Sequence, residues 1–218
     1  MKASIASSTS PNESNKPLSS MSRGVILLFA IASGASVANV YYAQPLLDIL
    51  AKDFNVSHAA IGGVVTATQI GCALALIFLV PLGDLVNRRR LMALQLIALI
   101  SALLVVGFAH STIILLAGML AVGLLGTAMT QGLIAYAASA ALPHEQGYVV
   151  GTAQSGVFIG LLLARVFSGG ISDVAGWRGV YFCAAIIMLM IALPLWKRLP
   201  HLNIQPSAMR YPQLLALC

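Results

Sequence analysis

Charged residues are scarce in this chain. Only 8% of its 218 residues are Asp, Glu, Lys or Arg, and six of these are acidic, whereas soluble domains carry about 25% charged residues. So few charges cannot keep a chain that is 59% hydrophobic in aqueous solution. The composition therefore excludes an ordinary soluble domain and favours a membrane protein.

The sequence also lacks the motifs that several other functions need. Its three cysteines include no Cys-x-x-Cys pair, so neither a disulfide framework nor a zinc site is indicated. No Gly-x-x-x-x-Gly-Lys-Ser/Thr loop is present for ATP. No nucleophile, base and orienting group can be assembled into a catalytic site. We therefore expect no enzyme activity, no cofactor and no metal, and any energy must come from an ion gradient.

Basic residues outnumber acidic ones, with a formal net charge of +6. They do not form a stripe interleaved with aromatic residues, so we expect no nucleic-acid partner. Instead they fall between or after apolar runs. If the N-terminus is inside, nine Lys and Arg lie on the inner side and only Lys52 and Arg178 on the outer side. The positive-inside rule then predicts that both termini are cytoplasmic.

Apolar runs long enough to cross a bilayer, about 20 residues each, fill the middle of the chain. Residues 1–22 are rich in Ser, Asn and Pro and are predicted to be a disordered cytoplasmic tail. The runs do not alternate as barrel strands would, and a helix satisfies every backbone polar group within lipid. We therefore predict an all-α membrane protein whose region 23–198 holds six transmembrane helices, at residues 24–50, 59–82, 91–108, 112–138, 148–168 and 179–196.

The loop after the second run combines an acid with three arginines. Residues 81–90 read PLGDLVNRRR. Asp84 is expected near the N-terminus of the third helix, where backbone N–H groups and partial positive charge favour a carboxylate. The arginines would then meet that acid and anionic lipid headgroups. Taken alone, this loop is also compatible with a positive-inside anchor and a helix cap.

The same loop resembles the motif between the second and third helices of the major facilitator superfamily, Gly-x-Leu-Ala-Asp-Arg-x-Gly-Arg-Arg. It departs from that motif at Val80, Leu85 and Asn87. The matching residues are Leu82, Gly83, Asp84, Arg88 and Arg89. The resemblance implies that Gly83, Asp84, Arg88 and Arg89 form a gating loop at the inner side of a transporter.

A second copy of the motif follows the fifth run. In residues 169–178, which read GGISDVAGWR, Gly169, Asp173, Gly176 and Arg178 stand at the offsets of Gly, Asp, Gly and Arg in the same family motif. Three runs lie between the copies, so the two loops face opposite sides of the membrane. This is the inverted three-plus-three repeat found within each half of these transporters. The alternative is chance similarity over a few positions.

Polar side chains inside the runs are candidates for a substrate cavity, because they cost free energy against lipid. Parts of the first two runs, including residues 37–47 and 66–69, also resemble a bacterial subgroup of drug and metabolite exporters. The residues expected to line the cavity are Asn39, Tyr42, Gln69, Gln131, Gln154 and Arg165. Interhelical hydrogen bonds with an aromatic belt are the alternative for Asn39 and Tyr42, and snorkelling to the interface is the alternative for Arg165.

Two features of the later runs add to this picture. Gly156 and Gly160 are four residues apart, a spacing that permits close contact between helices. The fourth run has Gln131 but no arginine, whereas the family often carries an arginine there for proton coupling. The chain therefore departs from the family's coupling pattern at this helix.

The resemblance implies a secondary active transporter in the bacterial cytoplasmic membrane, of the proton-coupled exporter type for small organic molecules such as drugs, sugars or metabolites. The chain would be its N-terminal six-helix half, and residues 199–218 a cytoplasmic linker cut off before a seventh helix. This family rocks two halves around a central site, so activity would need a homodimer or a separately supplied second half. The alternative is a transport-inactive fragment or an interaction-only membrane protein.

The gating role can be tested at Asp84. In a reconstructed full-length protein, Asp84→Asn removes one charge, and we expect transport to fall by about tenfold, the loss of one charge-assisted hydrogen bond. Flux and membrane insertion would be measured on the same proteoliposomes, with insertion expected to be unchanged. Transport at the original rate would contradict the gating role.

Overall fold

The computed structural model describes residues 21–198, apart from the side chains of Asp84, Leu85 and Arg198. These residues are almost entirely helical. Most of the predicted tail, residues 1–20, and the predicted linker, 199–218, lie outside the described residues. The α-helices are α1 Arg23–Tyr41, α2 Leu47–Asp53, α3 His58–Ile61, α4 Gly63–Leu74, α5 Val80–Leu85, α6 Arg88–Gly107, α7 Thr112–Ala140 and α8 Gln146–Arg198.

Five stretches of the described residues are long and apolar enough to cross a membrane. They are Arg23–Asp53, His58–Gly83, Arg88–Gly107, Thr112–Ala140 and Gln146–Lys197. The first two are not regular throughout, because a 3-10 turn at Gln44–Leu46 follows α1 and a π-helical turn at Ala75–Leu79 joins α4 to α5. The π-helical turn lies just before Pro81, whose ring cannot accommodate the carbonyl group four residues earlier.

The last helix, α8, is broken at Gly176. A straight helix of its 53 residues would be about 80 Å long, far longer than the roughly 30 Å of a hydrocarbon core. Gly176 has φ 70° and ψ 172°, a left-handed backbone that glycine adopts without the steric cost of a Cβ atom. It divides α8 into a first arm, residues 146–175, and a second arm, residues 177–198.

The first arm packs against α1 at glycine positions. Gly156 lies against the backbone of Ala30, and Gly160 lies against the backbone of Gly34. The two helices therefore run in the same direction. A Cβ atom at Gly34 would lie 2.5 Å from the carbonyl oxygen of Gly156, so the main chains are already as close as they can be.

The second arm runs antiparallel to α6. Near its beginning, the ring of Phe182 lies 4.9 Å from that of Phe108, just beyond the end of α6. Near its end, the ring of Trp196 lies under the guanidinium group of Arg89, in the first turn of α6. The chain therefore reverses direction at Gly176.

Helix α7 lies between the other long helices. Gly123 contacts the backbone of Thr68 in α4, and Gly126 contacts the carbonyl oxygen of Ser36 in α1. One turn before Gly123, Met119 accepts a hydrogen bond of 3.6 Å from the Tyr181 hydroxyl group in the second arm. Small side chains on α7 thus allow several helices to approach one central helix.

The close contact between α1 and the first arm predicts the effect of a single methyl group. Gly160→Ala would place Cβ against the backbone of Gly34, and we expect it to lower the free energy of unfolding by about 1–2 kcal/mol. Gly151→Ala is the matched control, because a Cβ atom there meets nothing within 4 Å. Detergent-titrated unfolding followed by circular dichroism measures both. Equal stability of the two variants would contradict this helix contact.

Candidate functional site

Tyr42 borders a groove between α1 and the first arm of α8. The groove has a volume of about 400 Å³, and the residues that contact it include Tyr42 and the glycines of the helix contact. The tyrosine side chain is 5% exposed, and its ring lies 5.2 Å from that of Phe167 in the first arm. Tyr42 therefore contributes to a largely apolar groove of the size that organic ligands occupy.

Asn39 lies one turn before Tyr42 and is only 1% exposed. Neither its amide nitrogen nor its amide oxygen has a hydrogen-bond partner among the described residues. An unsatisfied buried amide costs about 1–3 kcal/mol. Asn39 is thus a buried polar group of α1 whose hydrogen-bonding capacity the described residues leave unused.

The two glutamines of the second and fourth runs lie elsewhere. Gln69 is exposed and, together with Gln44, lines a small crevice between α1 and α4. Gln131 is exposed and lines a pocket with Gly83 and Arg88. The structure therefore does not place these two side chains in the groove that contains Tyr42.

Gln154 and Arg165 are both exposed on the first arm of α8. They are eleven residues apart, which is about three helical turns, so they lie on one face of the arm. Between them on that face, Phe158 and Leu162 are exposed as well. The first arm thus presents an apolar face with a polar group at each end. That all six residues line one cavity stays a prediction.

Arg88 connects the predicted gating loop to the end of α7. Its Nε donates to the carbonyl oxygen of Gly83 over 3.1 Å. Its Nη1 donates to the Ser139 hydroxyl oxygen over 2.6 Å and to the carbonyl oxygen of Ala135 over 3.3 Å. Carbonyl groups near a helix C-terminus carry partial negative charge, which favours a guanidinium group.

The helix cap in this loop is Asn87 and not Asp84. The Asn87 side-chain oxygen accepts from the backbone N–H groups of Arg89 and Arg90, over 3.1 Å and 3.3 Å. Asp84 belongs to the preceding helix, α5. A capping side chain must directly precede the first turn, and Asn87 holds that position. That the carboxylate of Asp84 lies near the start of the third helix stays a prediction.

Arg89 and Arg178, the matched arginines of the two loops, make equivalent contacts. Nη2 of Arg89 donates to the carbonyl oxygen of Trp196 over 3.0 Å, and Nη2 of Arg178 donates to that of Ala109 over 3.1 Å. Each guanidinium group also stacks on a tryptophan ring, at 4.8 Å from Trp196 and 4.3 Å from Trp177. Each arginine therefore joins the start of one helix to the carbonyl end of its antiparallel partner, at opposite ends of the pair.

Asp53 completes the cluster around Arg178. Its Oδ2 accepts from Trp177 Nε1 over 3.0 Å and from Arg178 Nη1 over 2.8 Å. Asp53 and Trp196 were not predicted from the sequence as partners of these arginines. The sequence pattern that could have indicated this cluster is the adjacency of Trp177 and Arg178. Both are predicted to lie on the same side of the membrane as Asp53.

The remaining members of the second loop are open to the surroundings. Asp173 is exposed, and a Cβ atom at Gly169 would meet nothing within 4 Å. Among the described residues, no group of three or more His, Cys, Asp and Glu side chains could hold a metal ion. The polar contacts of this region instead join helix ends.

These features define a membrane protein fold built of α-helices. The chain matches the structure of a bacterial homolog to the human lysosomal transporter Spinster, in its inward-facing and occupied conformation, with a TM-score of 0.72 and 20% sequence identity. The match covers 87% of this chain and 46% of that chain. The inward-facing and unoccupied conformation matches with a TM-score of 0.68.

The family model of the Major Facilitator Superfamily matches residues 27–210, and the chain belongs to this family. The resemblance seen in the loop motif is therefore confirmed. The chain is 40% identical over 200 residues to the uncharacterized transporter YgaY of Escherichia coli, covering 92% of this chain and 50% of that protein.

Two further relatives are more distant. The inner membrane transport protein YnfM of Escherichia coli is 26% identical, with 94% of this chain and 51% of that protein covered. The purine ribonucleoside efflux pump NepI of Salmonella paratyphi B is 29% identical, with 74% and 41% covered. The chain thus spans about half the length of the curated relatives that it matches.

The cluster at Asp53 predicts an unequal effect of two similar substitutions. Asp53→Ala removes the acceptor of both Trp177 and Arg178, and we expect a loss of about 1 kcal/mol in the free energy of unfolding, since the ion pair is partly exposed. Asp48→Ala is the control, because its pairing with His58 at 3.2 Å is solvent-exposed. Thermal unfolding in detergent measures both, and equal effects would argue against the Asp53 cluster as a stabilising contact.

Proposed function

We propose that this chain forms one six-helix half of a secondary active exporter for small organic molecules. This proposal rests mainly on one observation. Arg89 and Arg178 make equivalent contacts at opposite ends of the antiparallel pair formed by α6 and the second arm of α8. Two copies of one motif making the same contact at opposite ends support an inverted three-plus-three repeat. The chain then acts by moving molecules and does not transform them.

The proposed membrane topology follows from the break at Gly176. Its two arms, residues 146–175 and 177–198, are each long enough for one pass, which takes about 20 residues. With four preceding apolar stretches, the chain has six passes. The end that holds Arg88, Arg89 and Arg90 is assigned to the cytoplasm by the positive-inside rule. Both termini are then cytoplasmic in a bacterial inner membrane.

The proposed substrate surface is formed by α1 and the first arm of α8. Tyr42 borders an apolar groove there, and Asn39 supplies unused hydrogen-bonding capacity within the same helix. Gln154 and Arg165 are exposed at the two ends of one face of the first arm. An apolar surface with a few polar groups suits an organic molecule, and Gln69 and Gln131 would extend it along α4 and α7.

A second half is needed to enclose this surface. The relatives are about twice as long, and transport in this architecture moves two halves around a site between them. We propose that a second six-helix half, or a second copy of this chain in its place, closes over this surface. The gating loop at Gly83, Arg88 and Arg89 would close against it, and a proton gradient would supply the energy.

Flux measurements in proteoliposomes test the proposal. One preparation holds the 218-residue chain alone, and a second holds it together with the C-terminal half of the Escherichia coli relative. A panel of labelled organic molecules, including purine ribonucleosides, would be followed with and without an imposed proton gradient. We expect gradient-dependent flux in the second preparation, and flux from the chain alone would identify the homodimer.

Arg165→Gln tests the role of this arginine in the same assay. We expect it to lower flux by about tenfold, the equivalent of ~1.4 kcal/mol, because the proposal assigns to this charge a contact with the substrate or with an ion. Arg23→Gln, at the exposed start of α1, should leave flux unchanged. If neither preparation transports any substrate while circular dichroism shows intact helices, the transporter proposal is wrong and the chain is an inactive or interaction-only membrane protein.

A further inference from the structure

A second groove lies between α6 and the second arm of α8. Its volume is about 350 Å³, and it is bordered by apolar side chains of both helices. Ile97 is 63% exposed and Leu193 is 61% exposed, so the groove opens on the surface of the bundle. Two small residues, Ala93 and Ala192, also line it, which leaves room for an elongated apolar group.

One end of this groove is positively charged. Lys197 lines the groove and is exposed. Arg90 is exposed at the start of α6, one turn before Ala93 and therefore on the same side of the helix. The ring of Trp196 borders the groove at this end. None of the described residues that line the groove is acidic.

We propose that this groove binds one anionic phospholipid. An acyl chain lies along the apolar part, and the phosphate group meets Lys197 and Arg90. Basic residues at the membrane surface attract anionic headgroups, and tryptophan is favoured at the level of the headgroups. The site is independent of the transport proposal, because it lies on α6 and the second arm and not on α1 and the first arm.

Charge also decides against a second copy of this chain as the occupant. Two copies inserted in one membrane have the same orientation, so their grooves would bring Lys197 and Arg90 of one copy close to those of the other. Like charges at short distance repel each other. An anionic lipid instead neutralises the basic end while it covers the exposed apolar side chains.

Trp196 provides a direct measurement of binding. The purified chain would be placed in phosphatidylcholine vesicles that contain a minor fraction of phospholipid brominated near the headgroup end of one acyl chain. The brominated lipid is phosphatidylglycerol in one series and phosphatidylcholine in the other. We expect phosphatidylglycerol to quench the tryptophan fluorescence at about tenfold lower mole fraction. In Trp196→Phe, which retains only Trp177, this difference should disappear.

Charge variants identify the headgroup contact. Lys197→Gln and Arg90→Gln should each lower the preference for phosphatidylglycerol by about fivefold, the factor that corresponds to ~1 kcal/mol for one charge. Arg23→Gln is the matched control, since it removes one exposed positive charge from the start of α1. An equal loss of preference in Arg23→Gln would show a general surface potential and overturn the proposal.

Steric variants test the groove itself. Ala93→Phe fills the groove, and we expect it to abolish the selective quenching of Trp196 by phosphatidylglycerol. Ala73→Phe is the control, because Ala73 is an exposed alanine on α4, away from the groove. Circular dichroism confirms that each variant is folded. Equal quenching by both lipids in the unaltered chain, or unchanged selectivity in Ala93→Phe, would each overturn the proposal.

Discussion

Close contact between helix backbones holds this bundle together. Lipid tails are as apolar as leucine side chains, so burial of apolar area does not drive helices together within a bilayer. Contact at van der Waals distance must do so instead, and glycine permits the closest approach. Gly156 and Gly160 bring the first arm of α8 against α1, and Gly123 brings α7 against α4. The positions of Asn39 and Tyr42 follow from these contacts.

The helix ends are joined by arginine side chains. The last carbonyl groups of a helix have no partner within that helix, and leaving them unsatisfied is costly in an apolar environment. Arg88 reaches carbonyl and hydroxyl groups at the end of α7, whereas Arg89 and Arg178 reach the ends of an antiparallel pair. The two loop motifs therefore act first as connectors within the half. In the proposed gating movement, the half would therefore move as one rigid body.

The two large grooves have different surroundings. The groove between α1 and the first arm contains Tyr42 and small residues of the helix contact, near Asn39, which has unused polar capacity. The groove between α6 and the second arm ends at Lys197, and none of the described residues that line it deeper in the membrane is polar. A face with buried polar groups suits a transported molecule, and a face with charge only at the membrane surface suits a lipid. The positions of the polar groups therefore distinguish the proposed substrate groove from the proposed lipid groove.

The sequence by itself determined the class of protein, the family and the position of the two loops, because hydrophobic length and motif spacing are properties of the linear chain. The exact ends of the helices depend instead on individual residues near each end. The first run was predicted as one helix over 24–50, but α1 ends at Tyr41 and a 3-10 turn that contains Pro45 follows it. The loop was expected to place Asp84 near the start of the third helix, and the side chain that caps this helix is that of Asn87.

Tertiary structure alone decided which side of each helix is covered. Helices in lipid can be apolar on every side, so their periodicity does not identify the neighbouring helix. For this reason Asn39 is buried, whereas Gln69, Gln131, Gln154 and Arg165 are exposed. All five were predicted to line a cavity on the same ground, which is the free-energy cost of a polar side chain against lipid. Asp53 and Arg178, which are 125 residues apart in the chain, are likewise brought together only by the tertiary fold.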